Sequence, residues 1–140
     1  METTVRFPGG LRIDAQIGDF RVPTDQLIED GGTETAPSPF DLFLASLATC
    51  AGIYVLSFCR QRQLSSEGLT LSMQGDWNEQ RHLLERLRIT IGLPDDFPEK
   101  YRSAVIRAAG MCTVKRQMQS PPQFDITTVK AADTQTERAA

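Results

Sequence analysis

Three side chains in this sequence are of a type that does redox or nucleophilic chemistry unaided: Cys50, Cys59 and Cys112. A thiolate attacks electrophilic oxygen or sulfur, and it passes through a sulfenic acid or a disulfide that a second thiol can resolve. Cys50 and Cys59 lie nine residues apart on one apolar stretch that reads as a single helix. That spacing is ~13.5 Å of rise and about 180° of rotation, whereas a disulfide needs Cα atoms within ~7 Å. These two therefore cannot pair within an intact helix. An intrachain redox pair must include Cys112, with either Cys50 or Cys59 as its partner.

The three thiols have different neighbours. Cys50 sits among Ala48, Thr49, Ala51 and Gly52, small residues that leave room for a substrate atom. Cys59 follows Leu56 and Phe58, and its type favours burial. Cys112 follows Gly110 and precedes Thr113-Val114-Lys115-Arg116. A short helix starting there would aim N–H groups and two cations at the Cys112 thiol and lower its pKa. The plainer alternative makes all three cysteines small core residues, since free cysteine is among the most buried types. Other chemistry is quickly set aside. The single histidine, His82, lies in a polar connection with no metal-like spacing to another ligand, and there is no CxxC, phosphate loop or serine elbow. Arg12 reads first as a surface charge on a strand, and Asp41 first as a helix cap.

The elements that would position these groups follow from hydrophobic period and punctuation. Val5 and Phe7 lead into Pro8-Gly9-Gly10; Leu11, Ile13, Ala15 and Ile17 then alternate; Gly18-Asp19 turns the chain into Phe20, Val22 and Thr24. This predicts a three-stranded antiparallel meander with one oily face. Residues 26–37 read as a loop. Ser38-Pro39-Phe40-Asp41 is a helix start, with the serine as cap, proline at the first helical position and the aspartate closing a capping box. From Phe40 to Cys59 nearly every residue is apolar or small, a length that could span a bilayer. A core helix covering the oily strands accounts for it better than a membrane span.

Leu69, Leu71 and Met73, then Leu87, Ile89 and Ile91, predict two more strands. A second helix opens near Pro94-Asp95-Asp96 and carries Tyr101, Ala104, Val105 and Ala108 on one stripe. Pro121-Pro122 is expected to precede a last strand, Phe124 to Val129. The order predicts an α+β fold with antiparallel sheets around a long buried central helix. Residues 1–129 would form one domain, and residues 130–140 a disordered tail.

At 140 residues and 15.6 kDa the chain is long enough for one sizeable core. A formal charge of −3 and a pI near 5.1 give no electrostatic footprint for nucleic acid. The opening Met-Glu-Thr-Thr-Val-Arg has neither the charge nor the apolar run of a secretory signal, so a reducing, cytoplasmic setting is expected.

Two segments resemble one known family. Pro37-Ser-Pro-Phe-Asp-Leu-Phe-Leu-Ala-Ser-Leu-Ala-Thr-Cys50 is similar to the helix-opening motif of the OsmC-like proteins, which include the organic hydroperoxide resistance proteins. Cys112-Thr-Val-Lys-Arg116 resembles that family's second cysteine motif. The resemblance spans roughly residues 3–128 and implies an intertwined homodimer with its active sites at the interface. It further implies a thiol peroxidase without cofactor or metal. Cys50 would attack a hydroperoxide, organic rather than hydrogen peroxide; Cys112 would resolve the sulfenic acid to a disulfide; a dithiol of lipoyl type would reduce it. Arg12 matches the arginine that steadies the thiolate, and Asp41 would be its acidic partner. The family glutamate lies ten residues before the first cysteine, where this chain has Phe40; Asp41 lies nine before and would act across the dimer. A rival from another class is a non-catalytic dimer that binds an apolar small molecule in its cleft, with redox-inert cysteines.

Overall fold

The computed structural model of the chain describes residues 2–130. The meander forms as its alternation predicts, with β1 (Thr4–Gly9), β2 (Arg12–Ile17) and β3 (Phe20–Thr24) in the order β1-β2-β3, antiparallel throughout. Its register puts Val5 opposite Ala15 and Ala15 opposite Val22, with Ile17 opposite Phe20, so the apolar residues share one face. Arg6, Asp14 and Arg21 belong to the other.

Burial runs against the expectation drawn from that pattern. Phe7 and Phe20 are 77% and 76% exposed, whereas Asp14, on the polar face, is buried at 5%. Arg21 satisfies one Asp14 oxygen at 2.8 Å through Nε. Asp14 Oδ1 and Arg12 Nε, both from β2, are buried without a hydrogen-bond partner among the described residues. The oily face of the meander is left uncovered within one chain.

A pinned loop joins the meander to the long helix. Asp25 is 1% exposed and accepts from Thr33 Oγ1 at 2.6 Å, Thr35 Oγ1 at 2.9 Å and the N–H groups of Gln26 and Thr35. The Thr33 hydroxyl first, then the Thr35 and Gln26 amides, hold its carboxyl far below the usual carboxylate range against the opposing pull of burial. Gly32 approaches the backbone of Gln26 so closely that a Cβ would collide with the Gln26 carbonyl, so only glycine closes this loop.

Helix α1 (Pro39–Gln61) starts where its cap signal lies. Ser38 Oγ accepts from the Asp41 N–H at 3.1 Å, and the Asp41 carboxylate accepts from the Ser38 N–H at 2.9 Å. One side of α1 is core: Ala51, Val55, Phe58 and Cys59 pack with Phe97, Val105, Ala109 and Cys112. By length and composition alone this helix could cross a membrane, but here that face is the spine of an α+β core. The opposite side, including Ile53, is open to solvent within one chain.

Strands β4 (Thr70–Asn78) and β5 (Leu83–Gly92) form a separate antiparallel hairpin whose inward residues Leu71, Met73, Leu87, Ile89 and Ile91 are half-buried. His82 lies exposed in its turn, at φ +50°. Helix α2 (Arg102–Gly110) begins later than Pro94-Asp95-Asp96 suggests, after a single 3-10 turn at Glu99–Tyr101. Met111 breaks it, and Cys112 caps α3 (Thr113–Gln119).

The strand expected at Phe124 to Val129 does not form: residues 121–130 are irregular and exposed. Its alternation is real, but no open sheet edge in the chain takes it up, and a strand without a partner leaves its backbone groups to water. The tail expected at 130–140 lies, from 131 onward, outside the described residues.

Candidate active site

Cys50 is half-buried in the middle of α1, and the start of α3 is laid over it. The N–H of Val114, the Cys112 thiol and the N–H of Thr113 face the Cys50 sulfur, and together they hold its pKa below the ordinary thiol value although burial opposes them. The two thiols therefore act on each other. Cys112 is buried, and its sulfur accepts from the Lys115 N–H at 3.4 Å and lies 3.8 Å from the Leu47 carbonyl. Burial raises its pKa, and the adjacent Cys50 raises it further.

The expectation that the α3 backbone would activate Cys112 is therefore corrected. The amides at the start of α3 act on both sulfurs, but at Cys112 burial outweighs the Lys115 and Val114 N–H groups, whereas at Cys50 the amides prevail. The result is an asymmetric pair: one thiol disposed to ionise, the other kept protonated beside it.

Cys59 stands apart. It is completely buried in the core, and that burial pushes its thiol up. Of the two partners left open for Cys112, the fold places Cys50 beside it.

Tyr54 had no part in the sequence reading. Its hydroxyl lies 2.9 Å from Thr113 Oγ1 and ties α1 to the first residue of α3, which fixes the amides over Cys50. Its signal is faint: a polar tip four residues after Cys50 on a largely apolar helix that also carries Ser46, Thr49 and Ser57.

Arg12 and Asp41 are not brought to the cysteines by hydrogen bonds within the chain. Asp41 is exposed and spends its carboxylate on the Ser38 cap. Phe40, at the position of the family glutamate, forms an aromatic cluster instead, with ring centroids 5.7 Å from Phe43 and 5.9 Å from Trp77. A cavity of about 370 Å³ lies beside the pair, walled by Phe43 and Leu47 of α1, Leu87 and Ile89 of β5, and Cys112 and Lys115. Its surface is mostly apolar. Among the described residues no cluster of histidine, cysteine or carboxylate side chains could hold a metal ion.

An α+β chain with a cysteine in the middle of its long helix and a second cysteine capping a short helix over it defines a recognisable class. The family described as OsmC-like protein matches residues 31–127, and the chain belongs to that family. Solved structures agree on the fold. A protein from Psychrobacter arcticus 273-4, described as an osmotic stress induced and detoxification response protein, superposes with a TM-score of 0.72 at 22% identity, over 82% of this chain and 85% of that one. An OsmC-like protein from Mycoplasma pneumoniae gives 0.66 at 12% identity, over 90% and 92%. An organic hydroperoxide resistance protein from Vibrio cholerae, with captopril bound in one of its active sites, gives 0.52 at 18% identity, over 86% of each chain. No curated relative matches the chain in sequence.

Proposed function

We propose that this protein is a thiol-dependent hydroperoxide reductase acting as a cytoplasmic homodimer in defence against oxidative stress. The observation that carries the reading is the asymmetric sulfur pair: Cys50 is held toward thiolate by the Val114 and Thr113 amides, and Cys112 is buried, protonated and in contact with it.

The Cys50 thiolate attacks the distal oxygen of ROOH; the O–O bond breaks, RO⁻ leaves and takes a proton as ROH, and Cys50 becomes a sulfenic acid. The Cys112 thiol then attacks the Cys50 sulfur, an S–S bond forms and water leaves. A dithiol returns both cysteines to the reduced state and is itself oxidised to a disulfide. Cys50 shares its side of α1 with Leu47, Ile53 and Tyr54, and these largely apolar surroundings favour an organic hydroperoxide over hydrogen peroxide. A lipoyl-type dithiol suits the mostly apolar cavity beside Cys112.

Two observations support the dimer. The apolar face of the meander is bare in one chain, and on β2 Arg12 Nε and Asp14 Oδ1 are buried without hydrogen-bond partners among the described residues. A second copy would cover the first and complete the second, and it would let Arg12 and Asp41 serve the thiolate from the opposite chain.

The test is to treat the reduced protein with one equivalent of cumene hydroperoxide and map the thiols by peptide mass spectrometry. Rapid loss of two thiols with a Cys50–Cys112 linked peptide is expected. Cys50→Ser should reduce no hydroperoxide, whereas Cys112→Ser should accumulate a sulfenic acid that dimedone traps. Three intact thiols in the folded protein would overturn the proposal and favour the rival, a small-molecule-binding dimer, for which the 370 Å³ apolar cavity is the supporting observation.

A further inference from the structure

The cavity beside the sulfur pair is not shared equally between the two cysteines. Cys112 forms part of its wall, together with Leu87 and Ile89 of the hairpin and Met118 of α3, and Cys50 does not. Cys50 is half-buried where Cys112 is buried. A void walled by one cysteine of the pair and not the other offers a route to that cysteine, and in thiol–disulfide exchange access helps decide which sulfur is attacked. Lys115 also lines the cavity, and its ammonium forms no ion pair among the described residues, whereas the nearby Glu85 carboxylate is engaged by Asn78 at 2.8 Å and Arg81 at 3.2 Å. The walls therefore suit an aliphatic body, and the unpaired cation suits a thiolate.

Resting on the thiol reading above, we infer that reduction occurs at Cys112, by an aliphatic dithiol entering through this cavity, with Cys50 as the leaving group. Oxidant and reductant then reach the pair by different routes: the hydroperoxide meets the half-buried Cys50, and the dithiol meets Cys112 through the cavity. The first thiolate of the dithiol bonds to Cys112 Sγ as the Cys50–Cys112 bond breaks, and Cys50 departs as a thiolate received by the Val114 and Thr113 amides. The second thiol of the reductant, deprotonated, attacks the reductant's own sulfur in the mixed disulfide. Cys112 leaves and takes up a proton, and the reductant closes to a cyclic disulfide. Two electrons pass from the dithiol to the cysteines, and no other reactant is needed. The amides that favour attack by Cys50 in one half-reaction favour its departure in the other, since a thiol of lower pKa leaves faster.

The experiment uses a monothiol, which stops at the first exchange. The full-length protein is oxidised in parallel with cumene hydroperoxide and with diamide, reacted briefly with butanethiol, quenched with N-ethylmaleimide and mapped by peptide mass spectrometry. Butylthio adduct on Cys112 with maleimide on Cys50 is the expected pattern. Adduct on Cys50, or on both equally, overturns the inference. Glutathione, bulky and charged, should react more slowly than butanethiol by roughly tenfold after correction for thiolate fraction; equal rates would mean the cavity is not the route. A disulfide that forms with diamide but not with hydroperoxide sinks the peroxidase reading while the adduct map still decides this one. No disulfide with either oxidant overturns both.

Discussion

At the scale of single residues, the difference between two chemically identical thiols comes from three backbone amides and one act of burial. Val114 and Thr113 donate toward Cys50, Lys115 donates to Cys112, and Cys112 is the sulfur that burial dominates. The sign of the consequence is fixed. A lowered pKa means that Cys50 becomes a thiolate, and reacts, at lower pH than an ordinary thiol of about 8.5; a raised one means that Cys112 stays inert until higher pH. Iodoacetamide alkylation of the reduced protein, followed peptide by peptide against pH, should give a midpoint for Cys50 below that of Cys112. Coincident or reversed midpoints would remove the basis for assigning attack to Cys50. The Tyr54 hydroxyl belongs to the same account. Tyr54→Phe breaks its link to Thr113, and the Cys50 midpoint should move up toward the ordinary thiol value with little change in thermal stability.

At the scale of elements, most of what positions the pair is local and was readable. The Ser38–Asp41 capping box sets where α1 begins and hence how far along it Cys50 lies. Ser38→Ala should cost about 1 kcal/mol in denaturant unfolding. The loop from Asp25 to Pro37 is held by one carboxylate. Because the folded-state pKa of Asp25 is depressed, its contribution to stability is complete above the unfolded carboxylate value of about 3.9 and is lost as pH falls from there toward the folded value. Acid unfolding of Asp25→Asn should therefore lack part of the pH dependence the wild type shows below that point. An unchanged profile would mean the hydrogen bonds to Thr33 and Thr35 are not made in solution. Where elements were misread, the reason was a missing partner rather than a wrong pattern. Phe124 to Val129 has strand alternation and no strand to pair with, and the helix expected from Pro94 starts at Arg102 because Phe97 and Pro98 first turn the chain into the core.

At the scale of the whole molecule, one chain is well packed on one side of α1 and unfinished on the other. Phe97, 6% exposed, anchors the finished side, and Phe97→Ala should destabilise by about 3 kcal/mol. The unfinished side is the bare face of the meander and the open face of α1. Light scattering is expected to give a mass near twice 15.6 kDa. If Arg12 serves the partner's thiolate, coexpressing Arg12→Ala and Cys50→Ser chains, each impaired alone, should restore activity. A heterodimer then carries one site free of both lesions, so about a quarter of wild-type turnover is expected for random pairing. No recovery would place Arg12 with its own chain's cysteine.

What the sequence determined by itself was set by short-range physics. Alternation gave the meander, the serine–proline–aspartate start gave α1, and helix geometry barred Cys50 from Cys59. Two motifs sufficed for the family resemblance. The tertiary structure alone decided which thiol lies beside Cys112, which of that pair the α3 amides activate, and which one faces the cavity. Those outcomes depend on how α3 lies across the middle of α1, a contact between residues more than sixty positions apart that no local period encodes. It also decided that the oily face of the meander stays uncovered: alternation says that a face must be buried, and only packing says whether its own chain can bury it.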